Sequence, residues 1–156
     1  MGWPSGRPLA MAFHLQAATD EDRVFARRLT REAMSRYYLQ YGLLWSDDGF
    51  DVAWAGRENW LICNDDTVMG FISLSRDSRA LYIRELHLLE NFRKHGAGSW
   101  VLEQMALKAQ AQGLLRLTVF KTNPARRLYQ RRGLSIVGEE DCFWRMEREC
   151  RRVPGA

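Results

Sequence analysis

Cysteine is scarce in this 156-residue chain, and the three present, Cys63, Cys142 and Cys150, fall in no C-x-x-C or Cys/His spacing. An odd number so spaced supports neither a disulfide framework nor a zinc site, and a reducing cytoplasm is the compartment that fits. Histidine is equally sparse. His14, His87 and His95 are too scattered to suggest a metal cluster, so no metal is expected. No apolar run approaches the ~20 residues a membrane-spanning helix needs, and no membrane partner is expected. The opening stretch, 1–10, carries Gly2, Pro4, Gly6 and Pro8 where a signal peptide would be apolar. It reads as a flexible arm, with Met11 an alternative start, 11–150 as one domain, and 151–156 as a flexible tail.

Two nucleotide-binding patterns are also missing. The Walker run of Gly, four residues and Gly-Lys-Ser/Thr occurs nowhere. The dinucleotide fingerprint G-x-G-x-x-G fails because its third glycine position is Val101, and no acidic residue follows at the expected strand end. What is present is Arg93-Lys94-His95-Gly96-Ala97-Gly98-Ser99, between an apolar stretch over Leu81 to Leu89 and a helical pattern formed by Trp100, Val101, Met105, Ala106 and Ala109. A glycine-rich strand-to-helix turn presents unpaired N–H groups and a positive helix end, which suits phosphate. A turn without a ligand is the plain alternative.

A hydrophobic fraction of 46% and a charged fraction of 27% are ordinary for a globular domain. The net charge of +4 owes much to Arg126, Arg127, Arg131, Arg132, Arg145, Arg148, Arg151 and Arg152. A solvated basic face that attracts an anionic cofactor is preferred here over a nucleic-acid interface.

Phe13 to Ala17 reads as a strand, and Thr19 and Asp20 as the cap of a helix with Val24, Phe25, Leu29, Ala33 and Met34 on its apolar face. Tyr37, Tyr38, Tyr41, Leu44 and Trp45 extend a second helical segment to Asp47 and Asp48, with 49–56 either loop or short helix. Trp60 to Cys63, Val68 to Leu74 and the strand over 81–89 predict an antiparallel meander, its turns at Asn64 to Thr67 and Arg76 to Ser78. A helix from Ala97 stops at Gly113, and Leu114 to Phe120 is the next strand. Asn123 and Pro124 open another helix that Gly133 ends, before a closing hairpin of Leu134 to Val137 and Phe143 to Met146. The order β, α, α, β, β, β, α, β, α, β, β predicts a single α/β domain with a mixed sheet.

From about Val68 to Arg148 the sequence resembles the GNAT N-acetyltransferase superfamily. Three segments carry the likeness: the apolar strand with Arg93-x-x-Gly96-x-Gly98, the run Asn123-Pro124-Ala125-x-x-Leu128-Tyr129, and the strand Gly133 to Glu139. Where the family often has proline ahead of the loop, this chain has Glu90. The resemblance implies a single-domain α+β fold with a mostly antiparallel sheet of six or seven strands, about four flanking helices, and an acyl-CoA cleft where strands 81–89 and 114–120 splay. It implies acetyl-CoA as acyl donor, held by the backbone near Leu86 and Leu88, by the loop residues Arg93, Lys94, His95, Gly96, Ala97, Gly98 and Ser99, and by Asn123. Glu85 is the first choice as general base, with His87 in reserve, and Tyr129 matches the position that protonates the departing thiolate.

Each of these residues also has a structural reading: Glu85 paired with Arg84 or another arginine, His87 as a satisfied core residue, Tyr129 packed on the sheet, Asn123 as a cap. The aromatics of 37–45 and the carboxylates Asp47, Asp48 and Asp51 either wall an acceptor pocket or simply pack and solvate a helix pair. The expected function is transfer of an acetyl group to a primary amine of a small molecule or peptide. A non-catalytic acyl-CoA-binding module is the alternative, and the acceptor and a homodimer are left open.

Overall fold

The computed structural model describes residues 12–151. The expected arm over 1–10 lies outside them, as does the expected tail beyond Arg151. Seven strands and four helices follow in the expected order: β1 (Phe13–Ala17), α1 (Arg23–Gln40), α2 (Asp47–Ala55), β2 (Glu58–Asn64), β3 (Thr67–Arg76), β4 (Leu81–Leu88), α3 (Ala97–Lys108), β5 (Leu114–Phe120), α4 (Ala125–Arg131), β6 (Ser135–Glu140) and β7 (Phe143–Glu149). They build one sheet in the order β1-β2-β3-β4-β5-β7-β6, antiparallel throughout except for β4 against β5. Among the described residues, no helix is long and apolar enough to cross a membrane.

Two cores sandwich the sheet. On one face Val101, Leu102 and Met105 of α3 pack with Ile62, Ile72, Leu74, Leu81, Ile83, Leu115, Leu117 and Met146. On the other, Ala26 and Leu29 of α1 and Trp54 of α2 pack with Leu61, Cys63 and Phe71. Fully burying each large apolar side chain contributes about 2 kcal/mol, so both helical layers are held mainly by these stripes.

The early helices differ from the sequence expectation. Tyr37 and Tyr38 belong to α1, which runs from Arg23 to Gln40, with Gly42 beyond it at φ 67°. The second helix starts at Asp47, where the sequence pattern places an end, because the Ser46 hydroxyl accepts the N–H of Gly49 and caps it. Val24, expected on the buried face, is 49% exposed, since the buried stripe of α1 runs through Ala26, Leu29, Thr30 and Tyr37.

One irregularity positions the site. β3 and β4 keep register from Gly70 opposite Leu88 to Ser73 opposite Glu85, then slip so that Leu74 faces Ile83. Arg84 is therefore the extra residue of a β-bulge. A one-residue slip reverses the faces of a strand. Leu81 and Ile83 before the bulge, and Leu86 and Leu88 after it, all serve the α3-side core, whereas His87 packs on Phe71 on the α1 side. Unbroken alternation from Ile83 would have sent Glu85 and His87 to the α3 side.

Candidate active site

β4 pairs with β5 only from Leu81 opposite Leu115 to Ile83 opposite Leu117. Beyond that point the strands diverge, and a cleft of about 840 Å³ opens between them, walled by α1 on one side and by α4 and Gly98 on the other. Glu85, Leu86, His87, Leu88, Arg93, Gly98, Asn123 and Tyr129 all line it. The fold thus brings most of the sequence-predicted site residues together. Lys94, His95, Gly96, Ala97 and Ser99 are not in its wall; they form the turn at its α3 end.

The backbone on the open side of β4 is unpaired in a definite pattern. The N–H of Leu89 donates to the Met69 carbonyl at 2.8 Å. Antiparallel ladders alternate, so the amides of Leu88 and Leu86 point away from β3 and into the cleft. The Leu88 carbonyl is itself held, because Arg93 Nε donates to it at 3.0 Å. Gly70 opposite Leu88 allows the close approach: a Cβ there would overlap the His87 carbonyl oxygen.

At the other end of the loop, Gly96 caps α3 with φ 87°, a left-handed conformation that glycine adopts without strain. The first i to i−4 bond of the helix runs from Trp100 N–H to the Gly96 carbonyl at 3.0 Å. The N–H groups of Ala97, Gly98 and Ser99 precede it and are left without helical acceptors. Gly98 is small for another reason: a Cβ would sit 3.0 Å from Leu128 Cδ2.

Glu85 is bonded to His87, not to Arg84. His87 Nε2–H donates to Glu85 Oε2 at 2.6 Å, and the imidazole, only 9% exposed, lies 5.8 Å from the Phe71 ring. Arg84 instead donates from Nε to Ser75 Oγ at 2.7 Å and lies over Tyr82. Across the cleft, burial pushes the Tyr129 hydroxyl up to about 12, with the Glu85 carboxylate adding to the shift. Tyr38 is raised by the same two causes. The phenol of Tyr129 therefore stays protonated at neutral pH.

Asn123 Oδ1 accepts the N–H of Ala125 at 2.9 Å, so it organises the start of α4 while also facing the cleft. The aromatics mostly pack on one another: Tyr37 and Tyr41 stack on Phe120 at 5.3 and 5.5 Å, and Phe120 meets Phe143 at 4.5 Å. The carboxylates of α2 hold that helix to α1. Asp51 reaches Arg23 at 2.7 Å and Arg27 at 2.8 Å, and Asp47 lies 3.9 Å from Arg27. Sequence reasoning missed Arg57, the half-buried residue just ahead of β2, whose charge burial disfavours and the Glu85 carboxylate favours; no motif marks it.

The profile of the acetyltransferase (GNAT) family matches residues 23–134. The chain belongs to that family. Comparison with solved structures gives the same fold at low identity. The PaiA N-acetyltransferase from Thermoplasma acidophilum, in complex with coenzyme A, is similar with a TM-score of 0.67 and 17% identity over 89% of this chain and 99% of that one. An acetyltransferase from Thermus thermophilus gives 0.71 at 17% identity, over 88% of this chain and 97% of that one. A GNAT family acetyltransferase from Elizabethkingia anophelis with acetyl-CoA bound gives 0.69 at 17% identity, over 88% and 98% of the two chains. A comparison with curated protein sequences finds no significant match. The GNAT assignment agrees with the cleft already described, since it is the splay of β4 from β5 that separates this fold from a continuous sheet.

Proposed function

We propose that this GNAT protein is an acetyl-CoA-dependent N-acetyltransferase in which the amine attacks the thioester directly, within the cleft between β4 and β5. The observation that carries this reading is the convergence of a hydrogen-bonded Glu85–His87 pair and a protonated Tyr129 on the open edge of β4. The pyrophosphate would lie on the N–H groups of Ala97, Gly98 and Ser99, with Arg93 beside it and Lys94 and His95 at the rim. Pantetheine would extend along β4, bonded to the backbone of Leu86 and Leu88 and flanked by Asn123.

The chemistry needs a neutral amine, because an ammonium has no lone pair to attack. Glu85 takes the proton from the acceptor nitrogen, directly or through water, and His87 holds the carboxylate in place through Nε2–H. As the C–N bond forms, negative charge develops on the thioester oxygen. The Leu88 N–H stabilises it in this reading, which the Arg93 bond to the Leu88 carbonyl supports. Collapse of the tetrahedral intermediate breaks the C–S bond, and Tyr129 gives its proton to the departing thiolate. A tyrosine kept protonated by burial suits that step.

A thiol-release assay with acetyl-CoA and a panel of primary amines tests the reading. Amine-dependent release is expected; a protein that binds coenzyme A but acetylates no amine would favour a non-catalytic acyl-CoA-binding module.

A further inference from the structure

The two faces of the sheet divide the cleft. Leu117 and Val119 of β5 belong to the α3-side core, and Leu128 and Tyr129 of α4 pack against it. Strand alternation turns Thr118 and Phe120 to the α1 side, where Phe120 stacks on Tyr37 and Tyr41. Glu85 and His87 share that side of β4. Counting on from Ile83 opposite Leu117, Phe120 comes level with the stretch from Glu85 to His87, across the splay. A donor thioester lying with Tyr129 and the α3 turn leaves the α1 side as the approach for the amine.

An incompletely filled aromatic cluster lines that approach. Phe120 and Tyr37, each 5% exposed, are its interior. Tyr38 meets the Phe120 ring edge-on at 6.0 Å, and Phe143, directly opposite Phe120 in the β5–β7 ladder, packs on it at 4.5 Å. These outer rings are only half-buried, and both line the cleft with Glu85. Trp45 packs on Tyr38 at 5.7 Å and steadies its ring. Burial raises the pKa of the Tyr38 hydroxyl and the Glu85 carboxylate adds to the shift, in keeping with a place facing the base. Two half-exposed rings beside a buried one leave apolar area in water that a third ring would cover, in the edge-on or offset geometry such clusters favour.

We propose that the acceptor is a primary amine carrying an aromatic ring, which Tyr38 and Phe143 hold while its nitrogen meets Glu85. This rests on the acetyltransferase reading above. Paired strands are about 5 Å apart, and β4 and β5 have splayed further. A ring level with Phe120 and a nitrogen at Glu85 therefore need only a short alkyl arm between them. A plain alkylamine would cover less of the two rings. A polyamine would bring a second ammonium toward Arg36 and Arg84, which also line the cleft.

The test sets benzylamine and phenethylamine against butylamine and spermidine in the thiol-release assay. At least one ring-bearing amine is expected to exceed both of the others by about tenfold or more in kcat/KM. Tyr38→Leu and Phe143→Leu, which keep bulk but remove a ring and are each shown folded by circular dichroism, are expected to erase that preference, and Tyr38→Phe to keep it. Phenethyl alcohol, which has the ring without the amine, is expected to compete with the acceptor in the unaltered protein, a readout that needs no variant. Equal or better use of butylamine or spermidine overturns the proposal while leaving the transferase reading intact. So does a preference that survives in Tyr38→Leu or Phe143→Leu or is lost in Tyr38→Phe, and so does absence of competition by phenethyl alcohol. If no amine releases thiol, calorimetry on the protein with coenzyme A bound decides. Phenethylamine binding that is lost in both Tyr38→Leu and Phe143→Leu upholds the ring site without the transferase reading; binding that is absent, or that persists in either, overturns it.

Discussion

His87 Nε2 lies 2.6 Å from Glu85 Oε2, which joins the two candidate bases of β4 into one unit. Their shared face depends on the bulge at Arg84, and the buried imidazole, packed on Phe71, fixes the direction of the more exposed carboxylate.

A double-mutant cycle should expose that unit. His87→Gln is expected to lower kcat by about tenfold, less than Glu85→Gln, and the double variant should be no worse than Glu85→Gln alone. Steady-state kinetics on the three variants checks this; additive losses would mean independent roles.

Tyr129→Phe should reduce kcat by roughly a hundredfold while leaving KM for acetyl-CoA within about threefold, as removal of a general acid does. It also has a stability signature. The folded-state value of about 12 is above the unfolded value near 10. The raised value therefore contributes stability that is fully present below about pH 10 and is lost as pH rises through 12, by at most about 3 kcal/mol. Urea unfolding from pH 9 to 12 should show a steeper decline for the unaltered protein than for Tyr129→Phe.

Gly70→Ala should destabilise the protein by about 2 kcal/mol or more, because the new methyl overlaps the backbone of His87 and Leu88. Gly96→Ala meets no atom within 4 Å, and its cost, about 1 kcal/mol, comes from φ alone. Thermal unfolding of the two variants separates overlap from backbone strain.

Asp51→Asn should lower the urea midpoint by an amount equivalent to about 1–2 kcal/mol, since Asp51 joins α2 to Arg23 and Arg27 in a partly buried cluster. An unchanged midpoint would mean that the α1–α2 pair is held by Trp54 and Leu29 alone.

The strands and their order were legible because turn residues punctuate them: Asn64 to Thr67, Gly113 and Gly133 each fall at a boundary the structure keeps. The glycine loop and the Asn123 to Tyr129 segment were legible for the same local reason. The start of α2 was not, because the cap at Ser46 follows directly on a stretch, Tyr37 to Trp45, whose aromatics continue the helical spacing of α1. Nor was the pairing of Glu85. Arg84 or another arginine was the expected partner, but Arg84 turns to Ser75, and the bulge that decides which face of the sheet Glu85 and His87 share depends on β3 as well as β4. Arg57 is in the same position: it lies in the bend between α2 and β2, and its coupling to Glu85 has no sequence signature of its own.

The most direct test of the central claim is amine-dependent thiol release from acetyl-CoA by the unaltered protein and by Glu85→Gln, measured in parallel over one amine panel. The account predicts release by the unaltered protein and a fall of about a hundredfold or more in Glu85→Gln, with KM for acetyl-CoA within about threefold. Equal rates for the two proteins, or no release with any amine from a protein that binds coenzyme A, would contradict it.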